Sequence, residues 1–303
     1  MSSRIEDLPL TATPAEGARP AEPDGPPLTV IEPPRGWHLP DVGELWRFHE
    51  LIGFLVWRDV KVRYKQTLLG AAWAVLQPAL MMVVFTIFFS RMAKVPTAGY
   101  GPDEYPLFVF AGLLPWTFFS TAVANAGNSL VASERLITKV YFPRLAVPLA
   151  AVGAALVDFA VASGLLGVLM LWYGHGPGGW GLLLAPVFVV LMLLLAVGVG
   201  AFLGALNVSY RDFKYVIPFM VQLWMYATPT VYSQPTGSEL GGWLRVLMAL
   251  NPMTALIAGF RAAVLGGPCD WGQAALAAAV SVVVFVGGCV YFRRVEDSFV
   301  DRI

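Results

Sequence analysis

The residues that invite a chemical reading are few. Asp158 is the one acid deep inside a long apolar stretch, Leu145–Trp172, where burying a charge costs about 2.5–3.5 kcal/mol on insertion scales. Such an acid either relays protons, which would make the chain a proton-coupled carrier, or serves helix packing. No second acid or base lies in that stretch and no internal repeat accompanies it, so packing is the stronger reading; its partner is not legible. The three histidines, His38, His49 and His175, are far apart and have no cysteine cluster beside them, so no metal site is expected. A phosphate-cradling loop needs G-x-x-x-x-G-K-[ST], and Gly-Lys occurs nowhere. The Asp103-Glu104 pair is slender material for a membrane glycosyltransferase. No catalytic residue is expected, and the chain reads as a non-enzyme.

Aromatic rings form the other chemically suggestive group: Trp73, Phe85, Phe88 and Phe89, then Phe219, Trp224, Tyr226 and Tyr232. Sugars present flat C–H faces to such rings, and Tyr and Trp also hydrogen-bond hydroxyls. Rings that face lipid or fill gaps between helices are the competing explanation, and for any single ring the stronger one.

These residues must be positioned by membrane helices. The 303 residues are 57% hydrophobic and 13% charged, with formal net charge zero, and mean hydropathy is +0.66. That is more apolar surface than one soluble core hides, and the zero net charge removes a general electrostatic case for nucleic acid. Six stretches approach the roughly 20 apolar residues a bilayer crossing needs: about Leu69–Ser90, Leu107–Ala126, Leu145–Trp172, Leu182–Leu206, Val216–Ser233 and Ala274–Phe292. A seventh, Leu244–Leu265, is broken by Asn251-Pro252 and carries Arg245 and Arg261, and so reads as short helices dipping into the membrane. With the N-terminus in the cytoplasm, thirteen Lys and Arg near helix ends fall inside and only Arg91, Lys94, Arg245 and Arg261 outside, which predicts both termini cytoplasmic.

Residues 1–43 are proline-rich and lack the cationic start and apolar run of a secretory signal; a disordered cytoplasmic tail is expected. In 44–66, Leu45, Phe48, Leu51, Ile52, Leu55 and Val56 recur at helical spacing, predicting an amphipathic helix along the cytoplasmic membrane surface. Its basic end, Arg58, Lys61, Arg63 and Lys65, suits anionic headgroups or a partner protein, or simple anchoring. The expected fold is therefore all-α and integral to the membrane. It comprises the interfacial helix, a six-helix domain over 67–303 and short re-entrant helices before the last span.

Several blocks are more specific than hydropathy. They are Trp57-Arg58-Asp59-Val60-Lys61-Val62-Arg63-Tyr64 running on to Gly70, Trp73 to Pro78, Gly112-Leu113-Leu114-Pro115-Trp116, and Leu136 to Arg144. Later come Asn207 to Asp212, Ala227-Thr228-Pro229, Leu250-Asn251-Pro252-Met253 and Gly259-Phe260-Arg261. Together, from about Glu44 to the C-terminus, they resemble the permease family of ABC polysaccharide exporters. The resemblance implies a permease that moves a lipid-linked polysaccharide of O-antigen, teichoic acid, capsule or galactan type across the bacterial cytoplasmic (inner) membrane. It would work as a homodimer with two ABC ATPase subunits that bind the ATP and Mg, with no cofactor in this chain.

It further implies a coupling segment at 129–141, with Ser133, Glu134, Arg135, Leu136 and Lys139 facing the ATPase, although Ala132-Ser133-Glu134-Arg135 departs from the more neutral, asparagine-containing stretch of the family. It places Trp57, Arg58, Lys61, Arg63 and Tyr64 at the cytoplasmic gate and Phe85, Phe89, Trp224 and Tyr226 along the channel. Asn251, Pro252 and Arg261 fall in external re-entrant helices over 243–265. A small-molecule or drug exporter of the same architecture is the main alternative.

Overall fold

The computed structural model describes residues 42–65, 67, 69–92, 103–176, 179–210, 212–231, 248, 250–296 and 299, which all belong to one unit, Arg35–Ile303. Among them every regular element is helical: α1 (Val42–Arg47), α2 (His49–Tyr64), α3 (Ala72–Phe85, continued by a wider π-type turn over Thr86–Met92), α4 (Tyr105–Ala132), α5 (Glu134–Ile137), α6 (Ala146–Trp172), α7 (Ala185–Ser209, entered through a 3₁₀ turn at Gly179–Leu184), α8 (Phe213–Tyr226), α9 (Pro252–Leu265) and α10 (Trp271–Glu296). A chain in lipid must satisfy its backbone internally, and helices do so segment by segment. The expected tail over 1–43 lies almost wholly outside the described residues.

Five helical segments are long and apolar enough to cross a membrane: Ala72–Phe89, Tyr105–Ala132, Ala146–Trp172, Gly181–Ser209 and Trp271–Glu296. The expected span at Val216–Ser233 is not found at that length. Its helix, α8, has 14 residues, about 21 Å against a roughly 30 Å hydrocarbon core, and ends at Tyr226. The Ala227 and Thr228 N–H groups still bond back to Leu223 and Met225, after which 229–231 leave the helix, with Thr228, Thr230 and Val231 buried.

Helix α4 is the central element. It is apolar nearly all round, with most of its residues from Tyr105 to Leu130 buried, and it touches α3, α6, α7, α8 and α9. On its far side α7 crosses α10 with the backbones in contact: a β-carbon added at Gly288 would collide with the Gly198 carbonyl, and one at Gly198 with the α10 backbone at Phe285. Small residues allow this approach, which in lipid supplies the packing energy that water exclusion cannot. Asn207 on α7 donates to the Gly127 carbonyl at 2.9 Å and to Asn128 Oδ1 at 3.1 Å, tying α7 to the C-terminal end of α4.

The stretch 44–66 forms two helices broken at Phe48, and its apolar stripe does not face lipid. Leu55 is buried, Leu45, Phe48, Leu51 and Ile52 pack against the core, and Val56 lies against Gly153 of α6. What remains outward is a second face of Trp46, Phe54, Trp57 and Val62. The stripe has the right period but finds a protein partner, and periodicity alone does not say which apolar surface answers it.

Candidate functional site

At the C-terminal end of α4, two cavities follow one polar stripe. Asn128, Asn125, Thr121 and Thr117 recur at three- and four-residue steps along α4, and so share a face. The first cavity, about 780 Å³, lies between α2, the end of α4 and α5. Its walls include Arg58, Asp59, Arg63, Asn128, Glu134 and Arg135. The second, about 420 Å³, lies between α2, α3, α4 and α6. It shares Arg63 and Asn125 with the first and adds Trp73, Gln77, Thr121 and Asp158.

Between the cavities stands the answer to Asp158. Asp158 is the thirteenth of 27 residues of α6, about 18 Å from the start of that helix. The Arg63 guanidinium pairs with its Oδ2 and the Tyr64 hydroxyl donates to its Oδ1. Both come from the last turn of α2, which therefore runs beside α6 from Val56–Gly153 to this cluster. A guanidinium and a phenol thus answer both carboxylate oxygens, which offsets the cost of placing an acid among helices. The Tyr64 phenol is pushed from 10.0 up to about 12, by burial first and by its hydrogen bond to Asp158 second. Arg58 pairs with its neighbour Asp59 at 2.8 Å.

Of the expected coupling residues, Ser133, Glu134, Arg135 and Leu136 line the larger cavity, while Lys139 is exposed beyond it. Helix α5 is a single turn. It is held by Ile137 and Phe142 in the core, and it leaves Val140 and Tyr141 exposed, Tyr141 at 84%. Its return to α6 is anchored from afar: the Arg144 backbone N–H donates to Glu296 Oε1 at 3.1 Å, and the Arg144 guanidinium donates to the Glu296 carbonyl. Arg293, one turn back on α10, bridges Glu296 and Glu44 of α1, the latter at 3.1 Å. Four charges thus join the chain's first described helix, the coupling segment and the last helix. Separations of 152 and 249 residues hid this cluster from the sequence.

Of the expected gate residues, Arg58, Arg63 and Tyr64 reach the cavities, whereas Trp57, 65% exposed, and Lys61 point outward. Gln77, Thr121, Asn125 and Asn128 escaped the sequence reading because uncharged polar residues in a span carry no strong signal singly; the spacing of the last three on α4 was the available clue.

The opposite end of α4 holds the expected re-entrant residues, of which Trp243 to Arg245 lie outside the described residues. Asn251 caps α9, accepting from the Met253 N–H at 3.1 Å, with Pro252 at the first helical position and Gly266 in the left-handed region at the other end. Asn251 also accepts from the Trp224 indole at 2.9 Å and donates to Thr228 Oγ1 at 2.8 Å. Arg261 is buried: its guanidinium lies 3.8 Å from the centre of the Phe108 ring and donates to the Thr230 carbonyl at 2.6 Å. Tyr105 donates to the Val231 carbonyl at 2.7 Å. Gly112 makes room, since a β-carbon there would strike both Arg261 and the Thr230 carbonyl. The backbone freed where α8 stops is thus satisfied by side chains of α4 and α9, which is how a helix can end early within buried surroundings.

The four expected channel rings divide. Phe85 and Phe89 pack on the cluster of Tyr105, Phe108, Leu113 and Val231; Trp224 lies edge-on to Phe119 at 5.0 Å; Tyr226 alone is well exposed, at 71%. Tyr232 lies outside the described residues.

Long apolar helices, a part-buried polar seam and a single-turn helix held out at one end define a multi-pass membrane protein with an exposed segment on which another protein could act. The sequence profile of the ABC-2 type transporter family matches residues 50–265. The chain is 32% identical to the O-antigen export system permease protein RfbA of Myxococcus xanthus over 263 residues, covering 86% of this chain and 98% of that protein. It is 25% identical to the protein of the same name from Klebsiella pneumoniae over 255 residues, covering 83% and 94%. The chain belongs to the ABC-2 type transporter family.

Proposed function

We propose that this chain is the permease subunit of an ATP-driven exporter of lipid-linked polysaccharide, O-antigen or a related glycan, in a bacterial inner membrane. Two copies pair with two cytoplasmic ATPases, which bind the ATP and Mg. The carrying observation is the likeness to O-antigen export permeases along almost their full length. The coupling segment supports it: α5 exposes Glu134 and Arg135, the turn after it exposes Lys139 and Tyr141, and Arg144 fixes its far end to α10. ATP-driven closure of the ATPases pushes on α5, and the Arg144–Glu296–Arg293–Glu44 cluster passes the displacement to α10 and α1. Both termini lie in the cytoplasm, with α8 and the buried turn after it completing the sixth crossing. Channel lining falls to the α8 face that carries Phe219, Leu223 and Tyr226.

The proton-carrier alternative loses ground, because Asp158 is already bound by Arg63 and Tyr64.

The test is a clean deletion in the native host complemented by this chain. Lipid-linked polymer should accumulate inside the deletion strain and reappear at the surface on complementation, only when the partner ATPase is intact. Surface polymer that persists in the deletion strain, or export that survives an inactive ATPase, would refute the reading.

A further inference from the structure

The smaller of the two cavities has a composition that selects its occupant. At about 420 Å³ it falls within the roughly 300–1,000 Å³ range of small-molecule pockets, and it is walled by α2, α3, α4 and α6 of one copy of the chain. Its charges cancel. Among the described residues that line it, Arg63 is the only cation and Asp158 the only anion, and the two are paired, so neither offers a spare positive charge to a phosphate. The side chains of Gln77, Thr121 and Asn125 face it without a hydrogen bond to any described residue, and Thr117 commits only its donor, to the Leu114 carbonyl at 2.9 Å. Trp73 and the Phe118 and Phe159 rings, 5.4 Å apart, share the rest of the wall with small aliphatic side chains such as Ala74, Pro78 and Leu114. A hydrocarbon tail would leave the three amides and hydroxyls unanswered, which is costly away from water. A diphosphate would meet no free cation.

We infer that this cavity is a binding site for one neutral pyranose unit, whose hydroxyls answer Gln77, Thr121 and Asn125 and whose C–H face lies on the rings. The inference rests on the polysaccharide reading above and adds to it a sugar contact inside each copy of the chain, at the depth of Asp158 in α6.

The experiment uses the whole complex with its ATPases in nanodiscs and in cells. Asn125→Leu and Thr121→Val should lower polymer export roughly tenfold each, the effect of losing one or two hydrogen bonds, with assembly and basal ATPase rate retained; Thr121→Ser should restore export. Thr121→Cys is then labelled with methyl methanethiosulfonate and read by mass spectrometry on the peptide carrying position 121, so that Cys269 and Cys289 do not interfere. Methyl hexopyranosides in excess should slow the labelling, and inorganic pyrophosphate should not. Protection by pyrophosphate instead, or by neither, overturns the site, as does undiminished export in both apolar variants. Failure of the unmodified complex to export any polymer would refute the polysaccharide reading itself, an outcome separate from these.

Discussion

At the scale of single residues, the pairing of Asp158 with Arg63 and Tyr64 matters most. Removing Arg63 leaves a carboxylate among helices with one partner fewer. Arg63→Ala should therefore destabilise the protein by about 1–3 kcal/mol, less than a fully buried pair because both side chains keep some solvent, as measured by thermal unfolding in detergent. The double change Arg63→Met with Asp158→Leu should recover most of that loss, since removing both charges leaves nothing unpaired. Tyr64 adds an alkaline signature. Its folded value, about 12, is raised from 10.0, so folding favours the neutral phenol. The stabilisation is complete below pH about 10 and is lost as pH rises through about 12. Tyr64→Phe should flatten that limb of the stability profile; an unchanged slope between those values would exclude Tyr64 as its source. Asp158 itself was legible as an anomaly because charge is conspicuous in a span. Its partners were not, because they lie 94 and 95 residues away on a helix that read as interfacial.

At the scale of elements, two connections carry the argument. The first is the join at Gly112, where α4, α9 and the turn after α8 interlock. Gly112→Val should shift unfolding by about 1–3 kcal/mol or more, because both the Arg261 guanidinium and the Thr230 carbonyl would have to move. The second is α5. Reversing the charges on it and in the turn that follows, with Arg135→Glu and Lys139→Glu, should weaken co-purification of the ATPase and lower export together, while the isolated permease unfolds as before, since both side chains are exposed. Intact association and export would remove these two residues from the docking surface. The helical elements were readable from apolar runs and Asn251-Pro252 as a break, whereas the caps that Asn251 and Gly266 form on α9 came from the structure. The early end of α8 was not, because an apolar run shows that a segment avoids water and not whether its backbone is bonded within a helix or by side chains from elsewhere.

For the whole molecule, the proposed topology is open to direct measurement. A cysteine placed at Tyr141, and a tag at the C-terminus, should both react with an impermeant reagent only after the membrane is opened. Labelling of either in intact cells would reverse the orientation. The assembled exporter should contain two permeases and two ATPases by mass.

The amino-acid sequence alone determined the class of this protein. Long apolar runs require lipid and helices, and the ordered motifs from Trp57 to Arg261 specify the family. Tertiary structure alone decided which apolar face meets protein and which meets lipid, since both reward the same side chains. It also brought Arg63 to Asp158, Arg144 to Glu296 and Arg261 to Thr230. Such partners are chosen by the packing of α2, α4, α9 and α10 in space, and hydropathy and spacing along the chain carry no record of which distant helix will be the neighbour.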